Sequence, residues 1–574
     1  MVVTVELISL PRNTEKNLMH LQSLRIQGFR RFDDLSLRFK SGLNIIVGPN
    51  NAGKTAVVDA LRVLLSASDE GNLRLTELDL HQQRNGTRRT SATFTFIFSN
   101  LSDDDEADYM TALVPVKDST ETITGYEARF TVQYTQAEPG GRLRLRRWVG
   151  LHEENVMTTE MLEELRAIYL QPLRDPALGL KPEFDEALKT KPPVSSTNLA
   201  LNTKHENMLG SELAQVLALE LTSGDFNRFA ARVGLAVGGM EIEQNGLGFN
   251  NLIYMAVVLS ELALNTEATY CGLIVEEPEA HLHPQLQAVL LDYLRTVEKP
   301  AEGERAVQVF VTSHSPNFAA LADIDSICCV YESPSGPAAF APRDATFAVG
   351  KKEKLQRYLN VTRAELFFAR RVILVEGTAE LFLVEALATK AGFDLRKNSV
   401  SVISTDGLNF DAFLPLFGEN AMQIPTAVIT DADPPADFFP EKDSTLQLSA
   451  NASLLKASED DFVHCFFSKK TLEYDLAFEA DRRQLMIDAL KEIHPVIGKA
   501  LETEIDEGVG DSEKAKRLYC GMFQRGETKE DVQKGRYSQI LAYGIATSKT
   551  AVTVPPYLVS ALQFVIGAVE KAGG

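Results

Sequence analysis

The sequence predicts a multidomain α/β protein with two separate phosphate-handling halves, and three observations carry that prediction. An apolar run at Leu43–Val47 leads directly into Gly48-Pro49-Asn50-Asn51-Ala52-Gly53-Lys54-Thr55, and apolar residues at helical spacing follow from 56 to 65. Two later apolar runs, 273–275 and 307–311, end in Glu276-Glu277 and in Thr312-Ser313-His314-Ser315. A third pair, Arg371–Val375 and Thr426–Thr430, delivers Glu376 and Asp431. Short apolar strands that end in chemistry-bearing side chains are the pattern of buried parallel sheets, whose sites form at the carboxyl ends of the strands. At 574 residues the chain also exceeds what one hydrophobic core usually supports.

Composition narrows the function classes. Apolar residues at 44% and charged residues at 24% match a globular chain, and no apolar stretch is long enough to predict a membrane span. The first twenty residues lack an apolar signal core, so a cytoplasmic location is expected. Five cysteines (Cys271, Cys328, Cys329, Cys465, Cys520) form no C-x-x-C pair, which argues against a zinc site or a disulfide framework and for reduced, mostly buried thiols. A net charge of -21 counts against nucleic acid as a partner unless a local basic surface exists. Arg142, Arg144 and Arg146 recur every second residue and so share one face of a strand, with Arg147 and the single tryptophan, Trp148, next to them. Such a stripe either tracks a phosphate backbone or is a solvated strand face that balances an acidic protein.

Strand, glycine-rich loop and helix stand in the order that a nucleotide site requires. Gly48 and Gly53 let backbone N–H groups wrap phosphates, Asn50 and Asn51 lie within the same loop, Lys54 reaches the terminal phosphates, and the Thr55 hydroxyl binds magnesium. Downstream, Glu276-Glu277-Pro278-Glu279-Ala280-His281 resembles the Walker B segment of ABC-type ATPases. That resemblance implies that Glu276 holds magnesium and Glu277 polarises the attacking water. The family's usual first residue is Asp, and Glu276 adds one methylene. His314 looks like the switch histidine that contacts the terminal phosphate. ABC-type heads close on nucleotide with a signature loop from a second subunit, and the candidate here is Gly246-Leu247-Gly248-Phe249-Asn250. Leu247 stands where the family has serine, so backbone N–H groups around Gly246 and Gly248 are left to bind phosphate. Asp79-Leu80-His81-Gln82 is a candidate metal-contacting loop.

In the C-terminal half, Glu380 follows Glu376 by four residues, one helical turn on, so both carboxylates can face one point. Asp431 and Asp433 project to the same side of their strand end. Four carboxylates gathered there would repel unless cations neutralise them, and their hard oxygens suit Mg2+ or Mn2+. Solvated acids at strand ends are the alternative. The Glu and Asp-x-Asp pattern resembles the Toprim domain of topoisomerases, primases and some nucleases. Thr471-Leu472-Glu473-Tyr474-Asp475 follows the apolar run Val463–Phe467 and would add Glu473 to a second metal site. Lys534-Gly535-Arg536-Tyr537 offers a cation for the phosphate, or a lysine on a solvated helix.

Taken in order, these motifs make the chain resemble an OLD-family (overcoming lysogenisation defect) nuclease over nearly its whole length. Each motif recurs widely, but an ABC-type head with an inserted segment followed by a Toprim domain is rarely shared with other families. The fold class expected is therefore α/β multidomain, an ABC-type ATPase head with an inserted helical dimerisation segment and then a Toprim-like parallel-sheet domain. The divisions are 1–174 and 236–345 for the head, 175–235 for the insertion and 346–574 for the Toprim region with C-terminal helices. The resemblance implies ATP and Mg2+ or Mn2+ as cofactors, with Glu376, Glu380, Asp431, Asp433 and Glu473 on metal and Lys534 catalytic. It implies a DNA endonuclease or nickase in anti-phage defence, a homodimer or higher homo-oligomer, with a helicase or a retron reverse transcriptase and its DNA as possible companions and no membrane. The alternative reading is a noncatalytic DNA-binding ATPase similar to RecF-like repair proteins.

Overall fold

A computed structural model describes residues 19–66, 73–138, 141–170, 268–280, 282–296, 304–524 and 532–567, together with three short strands between 217 and 241 and scattered positions between 252 and 263. The chain divides into two compact units, Met1–Asn44 with Thr55–Thr312, and Ile45–Lys54 with Ser313–Gly574.

The described chain opens with β1 (His20–Phe29), β2 (Phe32–Arg38) and β3 (Leu43–Val47), and α1 (Lys54–Leu65) follows the glycine-rich loop. In the first unit, β4 (Ser91–Ser99), β5 (Leu113–Lys117) and β6 (Ile123–Gln136) join β1 and β2 in an antiparallel sheet of order β2-β1-β4-β6-β5, with β7 (Leu143–Val149) also paired to β6. Ala92, Phe94, Phe96 and Phe98 alternate inward along β4, the period of a half-buried strand. Their rings meet Phe29, Tyr134, Phe130 and Tyr270 edge to face, with centroids between 5.0 and 6.4 Å apart.

Under this sheet lie three parallel strands, β8 (Leu165–Leu170), β12 (Tyr270–Glu276) and β13 (Gln308–Thr312), with β12 between the other two. Every residue of β12 and β13 is buried, which is why both read as unbroken apolar runs. The buried Gln308 amide joins the layers by accepting from Leu21 N (2.8 Å) and Tyr270 Oη (2.9 Å) and donating to Leu21 O (2.9 Å) and Lys40 O (2.8 Å).

Between β8 and β12, the segment expected to be helical contains β9 (Leu217–Leu221), β10 (Val233–Val237) and β11 (Met240–Glu241), an antiparallel sheet of order β11-β10-β9. Leu217, Leu219 and Leu221, then Val233, Leu235 and Val237, repeat every second residue, a strand period that a short apolar run can hide among helical alternatives. The rest of the insertion, including the linker at 191–196, lies outside the described residues.

In the second unit β14 (Ile327–Ser333) runs parallel to β3 and forms a hairpin with β15 (Gly336–Phe340). A separate four-stranded, all-parallel sheet has the order β17-β16-β18-β19, built from β16 (Arg371–Val375), β17 (Val400–Ser404), β18 (Thr426–Thr430) and β19 (Val463–Phe467). Its core continues into a helical layer that includes buried Met486, Leu490, Leu518, Tyr537, Leu541 and Leu562. Four of the five cysteines are buried and all five carry free thiols. Among the described residues no helix is long and apolar enough to cross a membrane.

Candidate active site

The carboxyl ends of β16, β18 and β19 gather the acidic residues. Glu376 follows β16 and its Oε1 accepts from Asp431 N (3.0 Å) and from Thr430 Oγ1, so one carboxylate ties two strand ends together. α2 (Thr378–Lys390) begins at once and carries Glu380 in its first turn, buried at 6% exposure. A Cβ on Gly377 would stand 3.1 Å from Glu380 Oε2, so a larger residue there would press on that carboxylate.

Asp431 Oδ1 accepts from Ser468 Oγ (2.8 Å) and Leu472 N (3.0 Å), which fixes it to the residues after β19 and to the start of α3 (Leu472–Leu476). Thr471 caps α3 by accepting from Tyr474 N (3.2 Å) and so sets Glu473 in the first turn, at 2% exposure. Lys534 opens α4 (Lys534–Thr547) after Gln533, which takes a left-handed φ of 63°. Its ammonium lies 2.9 Å from Glu473 Oε1 and 3.6 Å from Glu380 Oε1.

The electrostatics are those of a crowded anionic pocket. Burial raises the Asp431 carboxyl well above the usual range, and Glu376, Glu473 and Glu380 raise it further. Burial also raises Glu380, reinforced by Glu473 and opposed by Lys534. Asp433 is raised by burial while Lys470 and Lys534 pull the other way. Burial alone would lower Lys534, but Glu473 and Glu380 outweigh it and hold the ammonium above its ordinary value. Asp431 and Glu380 thus feel the neighbouring carboxylates, while Asp433 feels mainly the two lysines.

Among the described residues no group of three or more carboxylate, imidazole or thiolate side chains is arranged so that it could hold a metal ion. Lys534 instead stands between Glu380 and Glu473. The donor set is nonetheless hard carboxylate oxygen in excess of local positive charge, which fits a divalent cation such as magnesium better than a soft metal.

Lys470 was not singled out in the sequence. It is 3% exposed, donates to Phe438 O (2.8 Å) and to Pro435 O and Ala436 O (both 3.3 Å), and lies 4.6 Å from the Phe439 ring centroid. Burial lowers its pKa. Its sequence signal is a Lys-Lys pair one residue beyond an apolar strand. Asp475 carries no role in the sequence motif that contains it, yet burial pushes it up to about 7 even though Lys469 N bonds both of its oxygens.

In the glycine-rich loop, Gly48 has φ 150°, and a Cβ there would fall 2.0 Å from Val330 O, so only glycine fits. Asn51 and Gly53 also take positive φ, and buried Lys54 donates to Gly48 O (2.6 Å) and Pro49 O (3.1 Å). Asn50 and His314 are exposed. In the first unit, Glu276 Oε1 accepts from Tyr169 Oη at 2.5 Å, burial raises its pKa, and hydrogen bonds from Tyr169 and Thr55 oppose that rise. Glu277 follows at a left-handed φ of 49°, its N–H donating to Thr312 O (3.0 Å). Asp79 is held by Arg30 (3.0 Å) and Thr76, and His81 by Arg30 O, so these side chains fasten their own turn. Gly246 and Gly248 lie outside the described residues.

Comparison with known proteins places these two regions. Residues 367–433 match the TOPRIM domain model described as overcoming lysogenization defect protein-like, residues 154–319 an AAA ATPase domain and residues 23–142 an AAA domain. The OLD nuclease of Thermus scotoductus is 22% identical over 72% of this chain and 82% of its own length. The Septu protein PtuA of Bacillus thuringiensis is 21% identical over 54% of this chain and 75% of its own. The endonuclease GajA of Bacillus cereus is 23% identical over 46% of this chain and 43% of its own. Fold and site together define an ATPase region joined to a Toprim domain, two domain types that use nucleotide and divalent metal. The chain is similar to ATPase-Toprim nucleases of the OLD type, in domain content and in the relatives it matches. The Toprim match contains Glu376, Glu380, Asp431 and Asp433, while Glu473 and Lys534 lie beyond it and join the cluster through geometry.

Proposed function

We propose that the chain is a divalent-metal-dependent DNA endonuclease or nickase whose cutting is governed by ATP at its ATPase region, acting in defence against phage. The observation that carries this reading is the Lys534 ammonium set between Glu473 and Glu380, beside Asp431 and Glu376. Hydrolysis of a phosphodiester needs charge stabilisation on the phosphate and an activated water, and a carboxylate cluster with one fixed ammonium suits both needs.

Glu376, Glu380, Asp431, Asp433 and Glu473 would hold Mg2+ or Mn2+, which when bound supplies Lewis-acid stabilisation and lowers the pKa of water. The remaining work belongs to the chain itself. Lys534 stays protonated because Glu473 and Glu380 raise its pKa, so it presents a constant positive charge to a phosphate that gains negative charge. The bonds from Ser468 and Leu472 hold Asp431 in one orientation, and those from Thr430 and Asp431 N do the same for Glu376.

On the nucleotide side, the loop from Gly48 through Asn50, Asn51 and Gly53 wraps phosphates and Lys54 holds the terminal ones. Thr55 and Glu276 would hold the nucleotide's magnesium, Glu277 would polarise water and His314 would contact the terminal phosphate. Gly246 and Gly248 of a second copy would close the nucleotide, which makes the active form a homodimer or higher homo-oligomer. Supercoiled plasmid incubated with Mg2+ or Mn2+ should be nicked or linearised by the wild-type chain and left intact in EDTA. No cutting with either metal, with or without ATP, would replace this reading with a noncatalytic DNA-binding ATPase.

A further inference from the structure

In the first unit a groove of about 830 Å³ runs between the 73–77 segment and the edge strand β7. Arg74, Arg142 and Arg147 line it together with Tyr134, Leu145 and a single carboxylate, Glu77. Side chains alternate along β7, so Leu143, Leu145 and Arg147 face the groove while Arg144 and Arg146 point away from it. Of the arginine stripe visible in the sequence, only Arg142 belongs to the groove. Arg146, on the other face, is already neutralised by Glu153 at 2.9 Å.

Among the described residues Arg74, Arg142 and Arg147 make no ion pair, and Arg147 Nε is buried without a hydrogen-bond partner. A guanidinium left this way loses donors that an anion would satisfy. The facing wall is fixed in place. Arg88 donates to Glu77 O (3.0 Å), Leu78 O (3.1 Å) and Leu80 O (2.9 Å), Asp79 accepts from Thr76 N (2.9 Å), and Arg30 holds Asp79 at 3.0 Å. On a chain of net charge -21, an excess of unpaired arginines in one rigid groove is a local reversal of sign.

We propose that this groove binds the phosphate backbone of DNA and tethers the substrate through residues separate from the cutting centre. Three arginines spread over two walls suit successive phosphates of a polymer, and Leu143 and Leu145 offer apolar surface against which sugars can lie. The contact is to backbone, so it adds affinity without sequence preference. The proposal rests on DNA being the substrate, and the test separates the two ideas.

A fluorescein-labelled duplex oligonucleotide is titrated with the full chain in EDTA, and anisotropy is read across a salt series. Because each lost phosphate contact lowers the salt slope by about 0.9, the double variant R74E/R142E should bind at least about tenfold more weakly than wild type, with a shallower slope. R144E, on the opposite face of the same strand, should bind within about twofold of wild type. Wild-type binding that R74E/R142E leaves unchanged, or that R144E weakens equally, overturns the groove and keeps the DNA reading. Failure of wild type to bind duplex at all overturns both. Unaltered circular dichroism and melting of R74E/R142E confirm that any lost binding is not lost folding, since both side chains are exposed. A misfolded double variant is replaced by R142E alone, read against the same criteria.

Discussion

Two lysines anchor the two phosphate-handling regions, and they are held in opposite ways. Lys54 is buried against the Gly48 and Pro49 carbonyls, six and five residues back in its own loop. Lys534 is half-exposed and reaches Glu473 and Glu380, carboxylates of two other helices. The first is a local closure onto dipoles, well placed to exchange carbonyl oxygens for phosphate oxygens. The second is a long-range closure onto charge, and it leaves the surrounding pocket short of cations. Removing Lys54 should therefore disturb ligand binding and little else, whereas removing Lys534 should strike chemistry and stability together.

The largest effect is expected at Lys534. Lys534→Ala should lower plasmid cutting by about a hundredfold or more while nucleotide binding persists. It also leaves buried Glu473 facing other carboxylates, at a stability cost held below about 2 kcal/mol because the lysine is half-exposed. Adding Glu473→Gln should return the melting temperature toward wild type without restoring cutting. A double variant no more stable than the single would mean that the ion pair is incidental to the fold.

Cation binding gives the next effect. Mn2+ or Mg2+ at a hundred times its dissociation constant should stabilise the protein by about 2.7 kcal/mol, read as a rise in melting temperature. Asp431→Asn should abolish that rise, since Asp431 is the buried carboxylate on which Glu376, Glu473 and Glu380 all act. If the rise survives intact in D431N, the cluster is not where the cation binds.

Lys54→Ala tests the other side of the contrast. Loss of one charge-assisted contact should weaken nucleotide binding by about 2 kcal/mol. The metal-dependent rise in melting temperature should be unchanged, and whatever response cutting shows to ATP should disappear. A variant that still responds to ATP like wild type would remove Lys54 from the nucleotide site.

The same contrast explains what the sequence disclosed. Residues 48–55 are contiguous and their φ values demand glycine at 48, so the loop was legible as a string. Glu376 with Glu380, and Asp431 with Asp433, were legible because helix and strand periods place neighbours predictably. Glu473 and Lys534 were legible only through their motifs and the family resemblance, because a fold that returns two distant helices to one point follows no spacing rule. The arginine stripe was read by period alone, which identifies residues sharing a face but not which face borders a groove. The strands at 217–221 and 233–237 were hidden because short leucine- and valine-rich runs serve helix and strand alike. Lys470 escaped because a lysine at 3% exposure runs against the strongest burial expectation there is.

Lys470 combines the two patterns, and the smallest predicted effect falls there. Like Lys54 it is buried and donates to the carbonyls of a loop, here those of Pro435, Ala436 and Phe438; like Lys534 it is electrostatically coupled to a carboxylate of the acidic site, Asp433. Asp433 itself sits at a left-handed φ of 47°, and its N–H points to Lys470 O at 3.4 Å, so the loop leaving Asp433 is shaped from both ends of one lysine. Lys470→Met keeps the stem and removes the ammonium, which strands three carbonyls and should cost about 1–3 kcal/mol of stability. If the role is to position Asp433, the variant should need more Mn2+ to reach half-maximal cutting while its rate at saturating Mn2+ stays within about tenfold of wild type. A lower rate at every Mn2+ concentration, with no change in the half-maximal value, would instead put the Lys470 charge in the chemistry beside Lys534.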